Sequence, residues 1–349
     1  MFKTPKIMQK YKFCYTDWKE IDDDSSPTPL DRFLYFLKSR GNYILNLEVS
    51  IVDYTVGRKC LIQILSFLPN VERLEYFVME PKSWSRNAKK LKCGDYEQPD
   101  NIPNLLKLKH LRVTHKFLNF FMGKVTTLNY FAIGESQGGT DQTTNIIQFM
   151  NQQENLEKFG LVNADYELKD YTMDVSSAYN FKIKKFRADR ECENFREFCA
   201  KIADDVEDMQ IYMQPNMPFY DSLQKFKNLK KLRLPLKHSE DFFLSDYTGW
   251  ELPNVEELEV CFEAKLSKIF SRFPKVKHFQ CRQLLNDTGV FETIETISVD
   301  AFDSSLLYYV HMPNWKTLII NSPVDEIGWT IIAARLTNIH IKLLKGFKN

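Results

Sequence analysis

The sharpest chemical signal in the chain is Gly134-Glu135-Ser136-Gln137-Gly138-Gly139, which contains a G-x-S-x-G run. Such a run builds a nucleophile when a strand turns sharply into a helix and lifts the serine hydroxyl toward a base and an oxyanion hole. A strand expected from Leu128 to Ile133 would supply the first half of that device. The second half is missing. Thr140-Asp141-Gln142-Thr143-Thr144 separates Ser136 from the first helical periodicity at Ile146, and no HGGG-type segment lies upstream. Glu167 or Asp170 with His238 would complete a serine–histidine–acid set, but a chain of 349 residues supplies such sets by composition alone. The expectation here is an inter-repeat loop and no catalytic residue.

Other reactive side chains are equally dispersed. None of His110, His115, His238, His278, His311 and His340 stands in HExxH or another metal-ligating spacing. Cys14, Cys60, Cys93, Cys192, Cys199, Cys261 and Cys281 are odd in number and form no close CxxC pair. Most lie in apolar stretches, where a free thiol behaves as a small hydrophobe. Asp22-Asp23-Asp24-Ser25-Ser26-Pro27 lacks the spacing and the glycine of a calcium loop and reads as an exposed linker. Lys89-Lys90-Leu91-Lys92 and Lys182-Ile183-Lys184-Lys185 are basic but short, and no glycine-rich phosphate cradle is present. No metal and no cofactor is expected.

Composition narrows the class. The hydrophobic fraction of 44% supports a core, and the formal charge of +1 asks for neither nucleic acid nor an anionic membrane. No run approaches the roughly 20 apolar residues that span a bilayer. The polar start, Met1-Phe2-Lys3-Thr4-Pro5-Lys6, is no secretory signal. A monomer in a reducing compartment, cytosol or nucleus, is expected.

What would position any functional residue is a recurring triplet: apolar, two variable, apolar, one variable, apolar. Its copies begin with Ile44-Leu47-Val49, Val71-Leu74-Tyr76, Leu108-Leu111-Val113, Val125-Leu128-Tyr130 and Leu156-Phe159-Leu161. They continue with Ile183-Phe186-Ala188, Val206-Met209-Ile211, Leu229-Leu232-Leu234 and Val255-Leu258-Val260. Val276-Phe279-Cys281, Ile294-Ile297-Val299, Trp315-Leu318-Ile320 and Leu336-Ile339-Ile341 complete the series. The last two apolar positions of each copy are two apart, so on a strand they share a face. Between triplets the period changes to a helical one, as in Phe33-Leu34-Phe36-Leu37, Leu61-Ile64-Leu65-Phe67 and Ile146-Ile147-Phe149-Met150. Phe195-Phe198-Ile202, Leu266-Ile269-Phe270-Phe273 and Ile331-Ile332-Leu336 behave in the same way.

Prolines punctuate the units. Leu68-Pro69-Asn70, Ile102-Pro103-Asn104, Leu252-Pro253-Asn254 and Met312-Pro313-Asn314 precede strand triplets, with Phe273-Pro274-Lys275 as a variant. Proline stops a helix, and asparagine is expected to support the turn into the strand. About a dozen units roughly 20–30 residues apart match the period of leucine-rich repeats. A single unit buries too little apolar surface to offset the entropy of ordering it, so neighbours must stack. The expected fold is an α/β leucine-rich-repeat solenoid, a horseshoe with a parallel concave sheet and helices on the convex face. Residues 1–30 would form an extended or capping N-terminal segment and 31–349 one irregular repeat domain.

This helix, Pro-Asn, LxxLxV unit resembles the leucine-rich-repeat region of F-box and leucine-rich-repeat proteins, substrate receptors of Skp1–cullin ubiquitin ligases. The resemblance covers residue 30 onward. It implies a non-catalytic protein-binding scaffold acting as a substrate-recognition module, and the F-box itself is not present in this chain. Phe2 to Tyr11 is similar to the segment that follows an F-box. One feature departs from the family: the asparagine expected three residues after the last apolar position of each triplet is replaced by Val52, Met79, Lys116, Ile133, Glu191, Gln214 and Lys237, among others, which implies irregular curvature. The G-x-S-x-G run around Ser136 separately resembles the nucleophile segment of carboxylesterases, and the alternative it implies is a serine esterase.

With the triplets inward, the residues between them face outward. The expected protein-binding face comprises Arg73, Phe77, His110, Arg112, Phe131, Arg187, Tyr212, Arg233, Glu259 and Arg282. Aromatic and arginine side chains are the usual anchors of an interface. The plainer reading is that Arg233 pairs with Glu257 or Glu259 on a neighbouring strand.

Overall fold

The computed structural model describes residues 10–15, 28–51, 54–78, 103–134, 146–162, 173–189, 194–212, 222–234, 251–322 and 326–343. The chain forms two compact units, residues 1–183 with 191–195, and residues 184–190 with 196–349. In the first unit six strands pair in parallel and in chain order: β1 (Lys10–Tyr15), β2 (Asn46–Ile51), β3 (Arg73–Val78), β4 (His110–Thr114), β5 (Tyr130–Gly134) and β6 (Lys158–Val162). Parallel neighbours need a crossover. α1 (Pro29–Arg40), α2 (Tyr54–Ser66), the 3-10 turn His115–Phe120 and α3 (Ile146–Asn151) lie in these connections. The start of α1 shows the local cause: Thr28 accepts from the Asp31 amide at 3.1 Å, Asp31 accepts from the Thr28 amide at 3.0 Å, and Pro29 opens the helix.

The second unit repeats the scheme with β7 (Lys185–Ala188), β8 (Asp208–Ile211), β9 (Lys231–Leu234), β10 (Glu257–Val260) and the short β11 (Glu263–Ala264). β12 (His278–Leu284), β13 (Gly289–Val290), β14 (Thr296–Ala301), β15 (Val310–His311), β16 (Thr317–Ile320) and β17 (His340–Leu343) follow. β7, β8, β9, β10, β12, β14, β16 and β17 pair in parallel in that order. β11 also pairs with β12, while β13 and β15 form a separate two-stranded pair. α4 (Phe195–Ile202, of which 196–202 belong to this unit), α5 (Leu266–Phe270) and α6 (Glu326–Arg335) lie between strands. All six segments of helical period thus lie in or against helices. The parallel α/β arrangement expected from the alternating periods is present in both units.

Most of the described strands are entered in the same way. Two successive amides donate to one carbonyl of the preceding coil, as Glu72 and Arg73 do to Leu45 at 2.8 and 3.0 Å, and Glu256 and Glu257 to Lys230 at 2.8 and 3.0 Å. The asparagines after the prolines serve this stacking. Asn70 donates its side-chain amide to the Asn42 carbonyl at 2.9 Å, and Asn254 and Asn314 reach Lys227 and Glu292, each at 2.7 Å. Asn228, which follows no proline, makes the same bond to Asp204 at 2.7 Å. Where lysine holds the position, its ammonium reaches the previous asparagine's Oδ1: Lys107 to Asn70 at 2.7 Å and Lys275 to Asn254 at 3.0 Å. The asparagine contacts therefore lie upstream of the strands, where they tie one coil to the next.

The inward positions form the cores. Leu47, Leu74, Leu111 and Phe159 in the first unit, and Met209, Leu232, Leu258, Phe279, Ile297 and Leu318 in the second, are all at most 2% exposed. Glycine is required at Gly41, because an added Cβ would lie 2.0 Å from the Phe67 carbonyl oxygen. Cys60, Cys199 and Cys281 are buried free thiols among these apolar side chains.

Two triplets are corrected by the register. In β5, Phe131 pairs with Leu111 and Phe159, and it is fully buried, so the copy reads Leu128-Phe131-Ile133. Phe131 is therefore core and not part of an outward face, and Ile133 is core rather than the site of a missing asparagine. Tyr130 and Phe131 are both large aromatics, so hydrophobicity alone allows either register. A one-residue slip exchanges the faces, and the polar phenol takes the outer one. In the last copy Ile341 and Leu343 pair with Leu318 and Ile320, shifting the expected triplet by two while keeping Ile341 inward.

Candidate binding face

Four of the expected outward residues, Arg73, Phe77, His110 and Arg112, meet on β3 and β4 around the carboxylate of Glu75. The strand period turns Arg73, Glu75 and Phe77 to one face, and the register places Arg73 beside His110 and Glu75 beside Arg112. The Glu75 carboxylate, with 12% of its side chain exposed, accepts from Arg73 Nε at 3.0 Å. His110 Nε2 and Arg112 Nη1 each lie 3.6 Å from it. The Arg112 guanidinium packs over the Phe77 ring at 4.5 Å, and His110 stacks on Tyr130 with centroids 4.0 Å apart and planes 8° from parallel. Tyr130, assigned to the core by the sequence pattern, is thus part of this face.

The surroundings fix the charges. Hydrogen bonding from His110, then from Arg73, with the added fields of Arg73 and Arg112, holds the Glu75 carboxyl at about 2 against the opposing effect of burial. Burial holds His110 below its ordinary 6.5 despite the pull of Glu75, so it is a neutral imidazole at pH 7. Because the folded state binds the Glu75 proton more weakly than the unfolded chain, this carboxylate stabilises the fold above pH 4.5 and ceases to do so as pH falls toward 2. Glu75→Gln should therefore cost on the order of 2 kcal/mol at pH 7, after allowing for solvent screening, and the difference from wild type should shrink steadily below pH 4.5. Urea unfolding at pH 7, 4 and 3 measures this. A difference independent of pH would mean that the carboxylate is not held as described.

One strand further out, Lys12 pairs with Glu48 at 2.5 Å, and Glu48 lies in register with Glu75. Lys10, Asn46, Glu48, Arg73 and Glu75 line an open recess of about 250 Å³. β1 precedes Ile44-Leu47-Val49, the first triplet counted in the sequence, and its contribution goes unrecognised there although Met8-Tyr11-Phe13 has the same spacing.

In the second unit most of the charged outward residues pair with each other. Arg187 makes a two-point contact with Asp189 at 2.7 and 2.9 Å and packs over Tyr212 at 4.5 Å. Arg233 lies 3.6 Å from Glu259 and 3.8 Å from Asp208, and Lys231 pairs with Glu257. The plainer reading of Arg233 thus holds for Glu259, while Glu257 pairs with Lys231. Arg282 is exposed on β12. At the strand entries Lys230 meets Glu207 at 2.9 Å, Lys277 meets Glu256 at 3.0 Å and Lys316 meets Glu295 at 2.7 Å. Such exposed pairs contribute roughly 0–1 kcal/mol each, so their use lies in fixing which coil faces which.

Ser136, Glu167, Asp170 and His238 lie outside the described residues. Among the described residues no group of three or more His, Cys, Asp or Glu side chains is placed to hold a metal ion. No described helix is long and apolar enough to cross a membrane. No protein-family model matches the chain, and no curated protein matches it.

Proposed function

We propose that this chain is a non-catalytic, monomeric repeat scaffold that binds a protein through the outward face of its parallel sheets. The observation that carries this reading is the group on β3–β5. There arginines, histidine and aromatics are gathered on an outward face, although the core on the opposite side is complete without them. Arginine and aromatic side chains brought together at partial exposure are what interface centres are made of. The recesses are open and shallow, which suits a macromolecular surface better than a small substrate. In its finer form the proposal is a leucine-rich-repeat horseshoe with strands concave and helices convex. The resemblance to F-box and leucine-rich-repeat proteins extends it to a substrate-recognition module of a Skp1–cullin type ligase.

Photo-crosslinking tests the binding reading. A benzophenone side chain placed at Phe77 should give a discrete protein adduct that Arg112→Glu abolishes, while the same probe at Tyr35, exposed on α1, should not give it. Identical products from both positions, or none from Phe77, would overturn it. Purified Skp1 retained no better than background discards the ligase extension alone. Fluorophosphonate labelling lost in Ser136→Ala would overturn the non-catalytic assignment.

A further inference from the structure

The two units differ in how their outward faces are charged. On the second unit most outward cations are matched locally, Arg187 by Asp189, Arg233 by Asp208 and Glu259, Lys231 by Glu257 and Lys185 by Asp208, while Arg282 and Lys342 are exposed with no ion pair among the described residues. On the first unit the outward positions of β1–β6 hold five permanent cations, Lys10, Lys12, Arg73, Arg112 and Lys158, against two carboxylates, Glu48 and Glu75. Lys12 and Arg73 take those two carboxylates at hydrogen-bond distance. Lys10 and Lys158 have no ion pair among the described residues. Arg112 keeps only a 3.6 Å contact to Glu75, and its buried Nε has no hydrogen-bond partner. A guanidinium held on an aromatic ring, with no hydrogen bond from it among the described residues, is a preorganised receptor for a carboxylate. Glu75 shows what these cations do with one.

We propose that the outward face of β1–β6 binds an acidic, extended peptide segment of a partner protein, with Arg112 taking one carboxylate centrally and Lys10 and Lys158 taking others toward the two edges. This rests on the reading that the face is a binding surface and names the chemistry it selects. Five strand spacings of about 4.8 Å separate Lys10 from Lys158, so a segment crossing the strands needs roughly seven residues at ~3.4 Å each. The span is short enough for one linear motif. Attraction between exposed charges weakens as salt shortens the screening length, so affinity should fall with ionic strength.

Fluorescence anisotropy on the full chain tests this with a labelled nonapeptide alternating Asp and Ser, beside its Asn-for-Asp, Lys-for-Asp and phosphoserine versions and a nine-nucleotide single-stranded RNA. The Asp peptide should bind at least tenfold more tightly than the Asn peptide and weaken on raising salt from 50 to 300 mM. Arg112→Gln should weaken it about tenfold and Lys10→Gln or Lys158→Gln about threefold, with circular dichroism unchanged. Lys38→Gln, an exposed cation on helix α1 rather than on the sheet, should leave it unaffected. Equal binding of Asp and Asn peptides, or equal loss in Lys38→Gln, would overturn the proposal. Phosphoserine or RNA binding tenfold tighter than the Asp peptide would also overturn it, replacing the carboxylate by phosphate. If the Phe77 crosslink persists while the Asp peptide fails, the acidic partner is wrong and the binding face stands; if both fail, the face itself is wrong.

Discussion

Leu258→Asp should abolish the cooperative melting of the second unit. Leu258 is 2% exposed and lies in register between Leu232 of β9 and Phe279 of β12, both themselves buried. The substitution removes an apolar side chain from a packed site and leaves an ionisable group there with no partner. Truncation of a core leucine alone costs about 2–5 kcal/mol, and an unpaired carboxylate adds to that. A folded domain has only ~5–15 kcal/mol in total. Because each coil is stabilised chiefly by the coils beside it, the loss should spread through β9, β10 and β12 rather than stay at one strand. Thermal melting by circular dichroism measures the effect, and amide exchange locates it. Arg282→Asp, on an exposed position of β12, should melt like wild type. Wild-type melting of Leu258→Asp would mean that the triplets do not share a core.

That shared core is the part of the fold most legible in the sequence. The change from a period of two to a helical period, with prolines between, places strands and helices in alternation, and short connections between them leave a parallel sheet as the result. Local periodicity does not carry partner or register. Met8-Tyr11-Phe13 has the triplet spacing, but it stands more than thirty residues before the next copy in a polar, lysine-rich start, so the repeat pattern left out Lys10–Tyr15, which pairs with β2 along its whole length. The asparagines after the prolines stand before the strands, where the sequence expects them to support the turn, but their bonds to the preceding coil depend on stacking that local sequence does not carry.

The binding face was legible to the same depth. Alternation along one strand is enough to turn Arg73, Glu75 and Phe77 outward, and His110 and Arg112 likewise. That these two short segments, 37 residues apart in the Arg73–His110 pairing, converge on one carboxylate depends on the length of an intervening connection that no periodicity constrains. The same holds for Lys10 and Glu48. Charge balance is also hidden in the whole-chain count: a formal +1 conceals a first-unit face with five cations against two carboxylates and a second-unit face whose cations are mostly paired. Only the register separates the two.

The register of β5 carries the largest effect after Leu258, and two alanine substitutions one residue apart decide it. Phe131 is fully buried, meets Phe149 edge-on with centroids 4.9 Å apart and lies 5.7 Å from Phe159. Phe131→Ala should leave a cavity among these rings and cost about 3–5 kcal/mol. Tyr130, on the outer face, loses mainly its stack with His110, and Tyr130→Ala should cost about 1 kcal/mol. Chemical denaturation of the two variants measures the gap. The opposite order, with Tyr130→Ala the costlier, would restore the triplet Val125-Leu128-Tyr130 and turn Phe131 outward. It would also remove the aromatic platform beneath His110, and with it one wall of the face on which Glu75 is held. The two substitutions therefore test a core and a binding surface at once, because a strand that slips by one residue exchanges them.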